Sequence, residues 1–138
     1  LGISQLRKLT AWVSRRREIA RRYDIAFGEM TNVRPLGVRR DVSHAYHLYV
    51  IQLDLTRLNT TREKVFTALR DSGIGVNVHY IPVHLHPYYR KRLGTGLGLC
   101  PVAEGAYERI LSLPIFPRMT DNDVNVVIAA VSKVVGDS

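Results

Sequence analysis

The residue types able to do chemistry crowd into one stretch, residues 73 to 118. It holds His79-Tyr80-Ile81-Pro82, then His84, His86, Tyr88 and Tyr89, and further on Cys100 and Glu104. An imidazole and a phenol both make hydrogen bonds while offering flat apolar faces, which suits them to holding a polar ligand. His84 and His86 would share a face of an extended segment, and imidazoles so spaced can converge on zinc. No carboxylate lies between them, however, and the next acidic residue is Glu104, so a metal cage is short of ligands and no metal site is assigned. Cys100 is the single cysteine, which excludes an internal disulfide and a thiolate zinc cluster. A nucleophilic cysteine needs a nearby base and an electropositive setting, and the plainer reading of Cys100 is a small residue flanking a helix. Gly94-Thr95-Gly96-Leu97-Gly98 lacks the glycine spacing of a dinucleotide loop and follows a basic turn instead of an apolar strand, so it reads as a flexible loop. Arg90, Lys91 and Arg92 beside it could attract a diphosphate, and a solvated basic turn explains them as well.

The elements that must position these groups follow from periodicity. A long helix is expected over about residues 2–29, with Leu6, Leu9, Val13, Ala20, Tyr23 and Phe27 as a buried stripe. Gly28 to Asp41 reads as a connection with a turn at Pro35-Leu36-Gly37. His44 to Asp54 is aromatic and branched, and its near-continuous apolarity predicts a strand covered on both faces. Thr60-x-x-Glu63 has the form of a capping box for a helix running to about Ser72, and Gly73 supplies the left-handed residue that closes it. Ile74 to Ile81 alternates as a strand would, sending Val76, Val78 and Tyr80 to one face and Asn77 and His79 to the other. Pro82 ends that strand, and HPYYRKR forms a helical turn. Pro101 opens a helix with Ala103, Ala106, Tyr107 and Ile110 inward, and a short strand runs through Leu113. Thr120 caps a last helix, its start complemented by Asp121 and Asp123 and its inner face made by Val124, Val127, Ile128, Val131 and Val135. The final residues are expected to fray.

These elements predict an α+β fold: helices around a small, mainly antiparallel sheet covered on one face. A length of 138 residues with 46% apolar content fits a single domain, 1–138, whose α+β body occupies about 44–136. There is no apolar run long enough for a membrane span and no leader pattern, so a cytoplasmic protein is expected. The formal net charge is +8, and Arg7, Lys8, Arg15, Arg16, Arg17, Arg21 and Arg22 all fall in the first helix. That cluster admits a nucleic-acid-binding reading, but no recognised binding motif accompanies it, and a solvated basic face opposite the apolar stripe accounts for it.

The order of these pieces resembles the C-terminal domain of the DegT/StrS-type sugar aminotransferases. His79-Tyr80-Ile81-Pro82 matches that family's His-Tyr-x-Pro element at the end of a small-domain strand. Ser112-Leu113-Pro114-Ile115-Phe116-Pro117 matches its Ser-Leu-Pro-x-x-Pro element after a helix, and LGISQLRKL with RRREIARRY looks like its long helix out of the large domain. The resemblance implies the small domain of a fold-type I transferase dependent on pyridoxal phosphate. It further implies a homodimer that passes an amino group from an amino acid, expected to be glutamate, to a keto-sugar nucleotide, with HYIPVHLHPYY closest to the branch acting on UDP-linked 4-keto-6-deoxy sugars. It assigns substrate contact to His79 and Tyr80, set against the plainer reading of a pair packed between domains. Family members often carry Gln where His86 stands, so no role is given to that side chain.

Such chemistry demands a sheltered lysine for a Schiff base to the cofactor. Lys8, Lys64, Lys91 and Lys133 are the only lysines, and all fall at positions expected to face solvent. The resemblance places that lysine and the cofactor-holding groups in a large domain that this chain does not contain, so no catalytic or cofactor-binding residue is expected here and the chain alone is expected to be inert. The competing classes are a free-standing basic binding module for nucleic acid and a structural dimerisation domain.

Overall fold

A computed structural model describes residues 2–136. Helix α1 (Gly2–Gly28) leads into a short strand β1 (Val33–Pro35), a central strand β2 (Tyr49–Leu53) and one turn of helix, α2 (Leu55–Leu58). Helix α3 (Arg62–Asp71), a 3-10 turn (Val83–Leu85), α4 (Pro87–Leu93) and α5 (Pro101–Tyr107) follow, then strand β3 (Ile110–Leu113) and helix α6 (Asp121–Val135). The sheet has the order β1-β2-β3 and is antiparallel throughout, as the α+β reading expected. The fraying expected of the last residues falls on 137–138, outside the described residues.

One face of the sheet makes the core. Tyr49, Ile51 and Leu53 alternate with half-buried Val50 and Gln52, so β2 is fully covered on one side only, against the expectation of cover on both. The register pairs Val33 with Leu53, Ile51 with Leu111 and Tyr49 with Leu113, bringing these apolar side chains onto a common face. Against them lie the second half of α1 (Ile19, Ala20, Tyr23, Phe27) and the valine stripe of α6, with Val65 and Leu69 of α3 completing the cluster. Burial of this kind contributes roughly 25 cal/mol per Å² of apolar surface and is the main source of stability.

Several expectations are corrected. The predicted stripe on α1 holds only for Ala20, Tyr23 and Phe27, because Leu6 and Leu9 stand largely exposed beyond the reach of the sheet. The connection predicted over residues 28–41 contains β1, which its proline at the strand end concealed. The cap of α3 is Thr61, whose hydroxyl accepts from the Lys64 amide, in place of Thr60. Asp54 caps the unforeseen α2 in the same way. Ala103 is exposed, not inward.

The arginines of α1 are also put to a different use from the solvated face that was expected. Arg15 donates to the Met119 carbonyl at 2.7 Å and pairs with Asp121 at 2.7 Å, while Arg22 reaches Asp121 at 2.8 Å and Asn125 at 2.7 Å. Arg17 holds the 43–44 loop through the His44 carbonyl. Three of the seven basic groups thus tie α1 to the start of α6 and to a loop. The Asp121 carboxyl is held below its ordinary range chiefly by its hydrogen bond from Arg15.

Candidate functional site

Gly73 is where the site begins. Its φ of +80° lets the chain leave α3, and the Gly73 and Ile74 amides bond back to Arg70 and Leu69 carbonyls at 2.9 Å each. Ile74 and Val76 then sink into the core and anchor the segment. The expected strand over 74–81 reduces to a single antiparallel bridge: the Asn77 amide donates to the Ser112 carbonyl at 3.1 Å and the Ser112 amide to the Asn77 carbonyl at 2.8 Å. The alternation is real as far as Asn77, but Val78 is only half-buried and Tyr80, placed by that pattern on the apolar face, is 70% exposed.

Alternation along β3 sends Leu111 and Leu113 into the core and Ser112 to the opposite face of the sheet. There the Ser112 hydroxyl lies 2.8 Å from Nδ1 of His79. His79 therefore sits off the hydrophobic side, as expected, with the Tyr80 ring packed edge-on against it at a centroid distance of 4.6 Å. The peptide joining the two is cis. Val50 is the cross-strand partner of Ser112, and it also lines an open cavity of about 680 Å³ whose walls include Leu36, Val38, His44 and Tyr46. Neither His79 nor Tyr80 lines that cavity.

His84 and Glu104 form a second polar centre, which has a structural task. The His84 Nε2 is 2.6 Å from a Glu104 oxygen, and the same carboxylate accepts from the amides of Gly98 at 2.9 Å and Cys100 at 3.1 Å. Those backbone donors, the Gly98 amide foremost, hold the Glu104 carboxyl below its ordinary range. The Thr95 hydroxyl donates to the His84 carbonyl, closing the 94–100 loop over the same point. Sequence spacing did not pair His84 with Glu104 because a loop and a helix separate them. Among the described residues no group of three or more His, Cys, Asp or Glu could hold a metal ion. Cys100 is exposed and flanks α5, as the plainer reading had it.

The four lysines, Lys8, Lys64, Lys91 and Lys133, are all exposed in this structure. No described helix is long and apolar enough to cross a membrane.

A three-stranded antiparallel sheet with one face covered by helices, entered by a long helix, is the small α+β domain of the fold-type I transferases that use pyridoxal phosphate. Residues 1–132 match the DegT/DnrJ/EryC1/StrS aminotransferase family, and the chain belongs to that family. It is 46% identical to the spore coat polysaccharide biosynthesis protein SpsC of Bacillus subtilis over 136 residues, which is 98% of this chain and 35% of SpsC. Among solved structures, the aminotransferase TlmJ of Streptoalloteichus hindustanus superposes with a TM-score of 0.83 at 32% identity, over 96% of this chain and 34% of TlmJ. PseC of Helicobacter pylori, an aminotransferase of pseudoaminic acid biosynthesis, gives 0.88 at 26% identity over 97% of this chain and 35% of its own. The chain therefore spans about a third of the length of these relatives.

Proposed function

We propose that this chain acts as the substrate-facing C-terminal part of a homodimeric, pyridoxal-phosphate-dependent aminotransferase. The enzyme moves an amino group from an amino acid, glutamate, to a keto-sugar nucleotide of the UDP-linked 4-keto-6-deoxy class. The observation that carries this reading is the His79–Tyr80 pair: one ring tethered to Ser112, the other exposed, both on the open face of the sheet in a chain of a sugar aminotransferase family. An imidazole and a phenol so placed can hydrogen-bond sugar hydroxyls while their faces cover the ring.

The cofactor supplies the electron sink for amino transfer. Because no lysine of this chain is sheltered, the groups that hold the cofactor come from other residues of the enzyme, and this chain by itself is inert. The nucleic-acid alternative loses ground, since Arg15, Arg17 and Arg22 already have partners within the domain.

Two measurements test the reading. Purified chain given pyridoxal phosphate, glutamate and a UDP-linked keto-sugar is expected to give no turnover, and an enzyme-like rate would refute the division of labour. In the enzyme containing this chain, His79→Ala is expected to raise KM for the sugar nucleotide about tenfold, equivalent to about 1.4 kcal/mol of lost contact, while the half-reaction with the amino donor is unchanged. An unchanged KM would remove His79 from the site.

A further inference from the structure

We propose that Ser112 is a positioning residue for His79: its hydroxyl donates to Nδ1, fixing the neutral imidazole with its proton on Nε2. His79 then faces its ligand as an N–H donor, and the group it meets is an acceptor oxygen of the sugar nucleotide. The statement about the ligand rests on the substrate role proposed above for His79; the statement about the tautomer does not.

Ser112 is 4% exposed, so its hydroxyl proton needs a partner within the protein. Its backbone amide and carbonyl are both engaged by Asn77, which locks the residue in place and leaves the side chain as its one adjustable group. The partner of that hydroxyl is Nδ1 of His79, at 2.8 Å. Were the imidazole proton on Nδ1, the serine oxygen would be the acceptor and its own buried hydrogen would lack a described acceptor. With the proton on Nε2, the Nδ1 lone pair takes the hydroxyl hydrogen and both groups are satisfied. A histidine's tautomer is set in this way by the bond its other nitrogen makes.

The Asn77–Ser112 bridge makes the arrangement rigid. It fixes the backbone two residues before His79 to the strand that carries the hydroxyl, which keeps the start of the His79 segment beside Ser112. Ser112 cannot turn inward, because its neighbours Leu111 and Leu113 take the core side. The Tyr80 ring closes one side of the imidazole.

Long-range proton–nitrogen correlation spectra of the 15N-labelled chain, at a pH where its imidazoles are neutral, test this directly. The expected spectrum has Nε2 of His79 protonated and Nδ1 bare. A protonated Nδ1, or an even mixture of tautomers, overturns the proposal from the wild-type spectrum alone, so a variant that failed to fold could not shelter it. Ser112→Ala is expected to lose the single tautomer, and Ser112→Thr, which keeps a hydroxyl, to restore it; an unchanged pattern in Ser112→Ala would also overturn it. The KM of His79→Ala in the enzyme containing this chain separates the two claims, since an unchanged KM defeats the substrate role and leaves the tautomer standing.

Discussion

Two regions of this domain hold together by different means. The body, comprising the second half of α1, the sheet, α3 and α6, contains the buried apolar cluster, and its helices are locked to one another by side chains such as Ile19, Leu69 and Val131 that are wholly out of solvent. The arm, residues 80–109, contains no buried residue at all. It is built from local devices: prolines at the first turns of α4 and α5, a left-handed Gly94, and the His84–Glu104 centre. Its end is tied back where Arg62 donates to the Tyr107 carbonyl at 2.7 Å and lies over the tyrosine ring. A region held by polar contacts with few buried apolar groups opens at lower free energy than the core, and regions that meet ligands are drawn from that end of the range. The arm also exposes Tyr80, Val83, Leu93, Leu97 and Val102, while the His79–Tyr80 pair stands at its junction with the body.

Emptying the body is expected to have the largest effect on stability. Leu69 is fully buried between α3 and the core, so Leu69→Ala is expected to lower the unfolding free energy by roughly 2–5 kcal/mol, measured by denaturant titration. A loss comparable to that of an arm substitution would mean that the cluster does not carry the fold.

What could be read without the structure divides along the same line. The body was legible where periodicity is strong: the valines of α6, the Thr120 cap and the left-handed Gly73 appear where the sequence put them. Leu6 and Leu9 misled, because a helical stripe shows which side is apolar and not how far the partner surface extends. The alternation from Ile74 misled in another way: it reported burial of Ile74 and Val76, but a ladder also needs a neighbouring strand, and only Asn77 finds one. At the candidate site, His79 and Tyr80 stand out in the sequence through the His-Tyr-x-Pro element, whereas nothing in the sequence marks Ser112 as the partner of His79. Its contact joins residues 33 positions apart, a separation no local pattern encodes.

A cap substitution at the edge of the body is expected to have a smaller effect. The Thr120 hydroxyl accepts from the Asp123 amide at 3.1 Å, and the Thr120 amide donates to the Asp123 carboxylate at 2.8 Å, a reciprocal pair that satisfies free donors at the start of α6. Thr120→Ala is expected to cost about 1 kcal/mol in the same titration. No change would show that Arg15 and Arg22 alone hold this end of the helix.

Acid should separate the arm from the body. The Glu104 carboxyl is held below its ordinary value of about 4.3 by the Gly98 and Cys100 amides and by His84. A depressed folded-state pKa contributes stability that is fully present above the ordinary value and is lost as pH falls through the lower one. The Gly98 and Cys100 amide resonances are therefore expected to titrate together with a midpoint below about 4.3, before Val131 and the rest of the α6 stripe lose their native shifts. Glu104→Gln should produce the same local change at neutral pH. Simultaneous collapse of α6 would show that arm and body form one cooperative unit.

The smallest effect is expected at the arm's exposed apolar residues, and it is the most discriminating. Leu97 and Val102 are 81% and 86% exposed, so truncating either to alanine removes almost no buried surface. The unfolding free energy should stay within about 0.5 kcal/mol of wild type. If Leu97→Ala instead cost as much as a core truncation, that side chain would be covered in solution by a surface of another molecule. The arm would then owe its order to that contact more than to Glu104, and a dilution series of the unfolding midpoint would reveal it, because only an intermolecular contact makes stability depend on protein concentration.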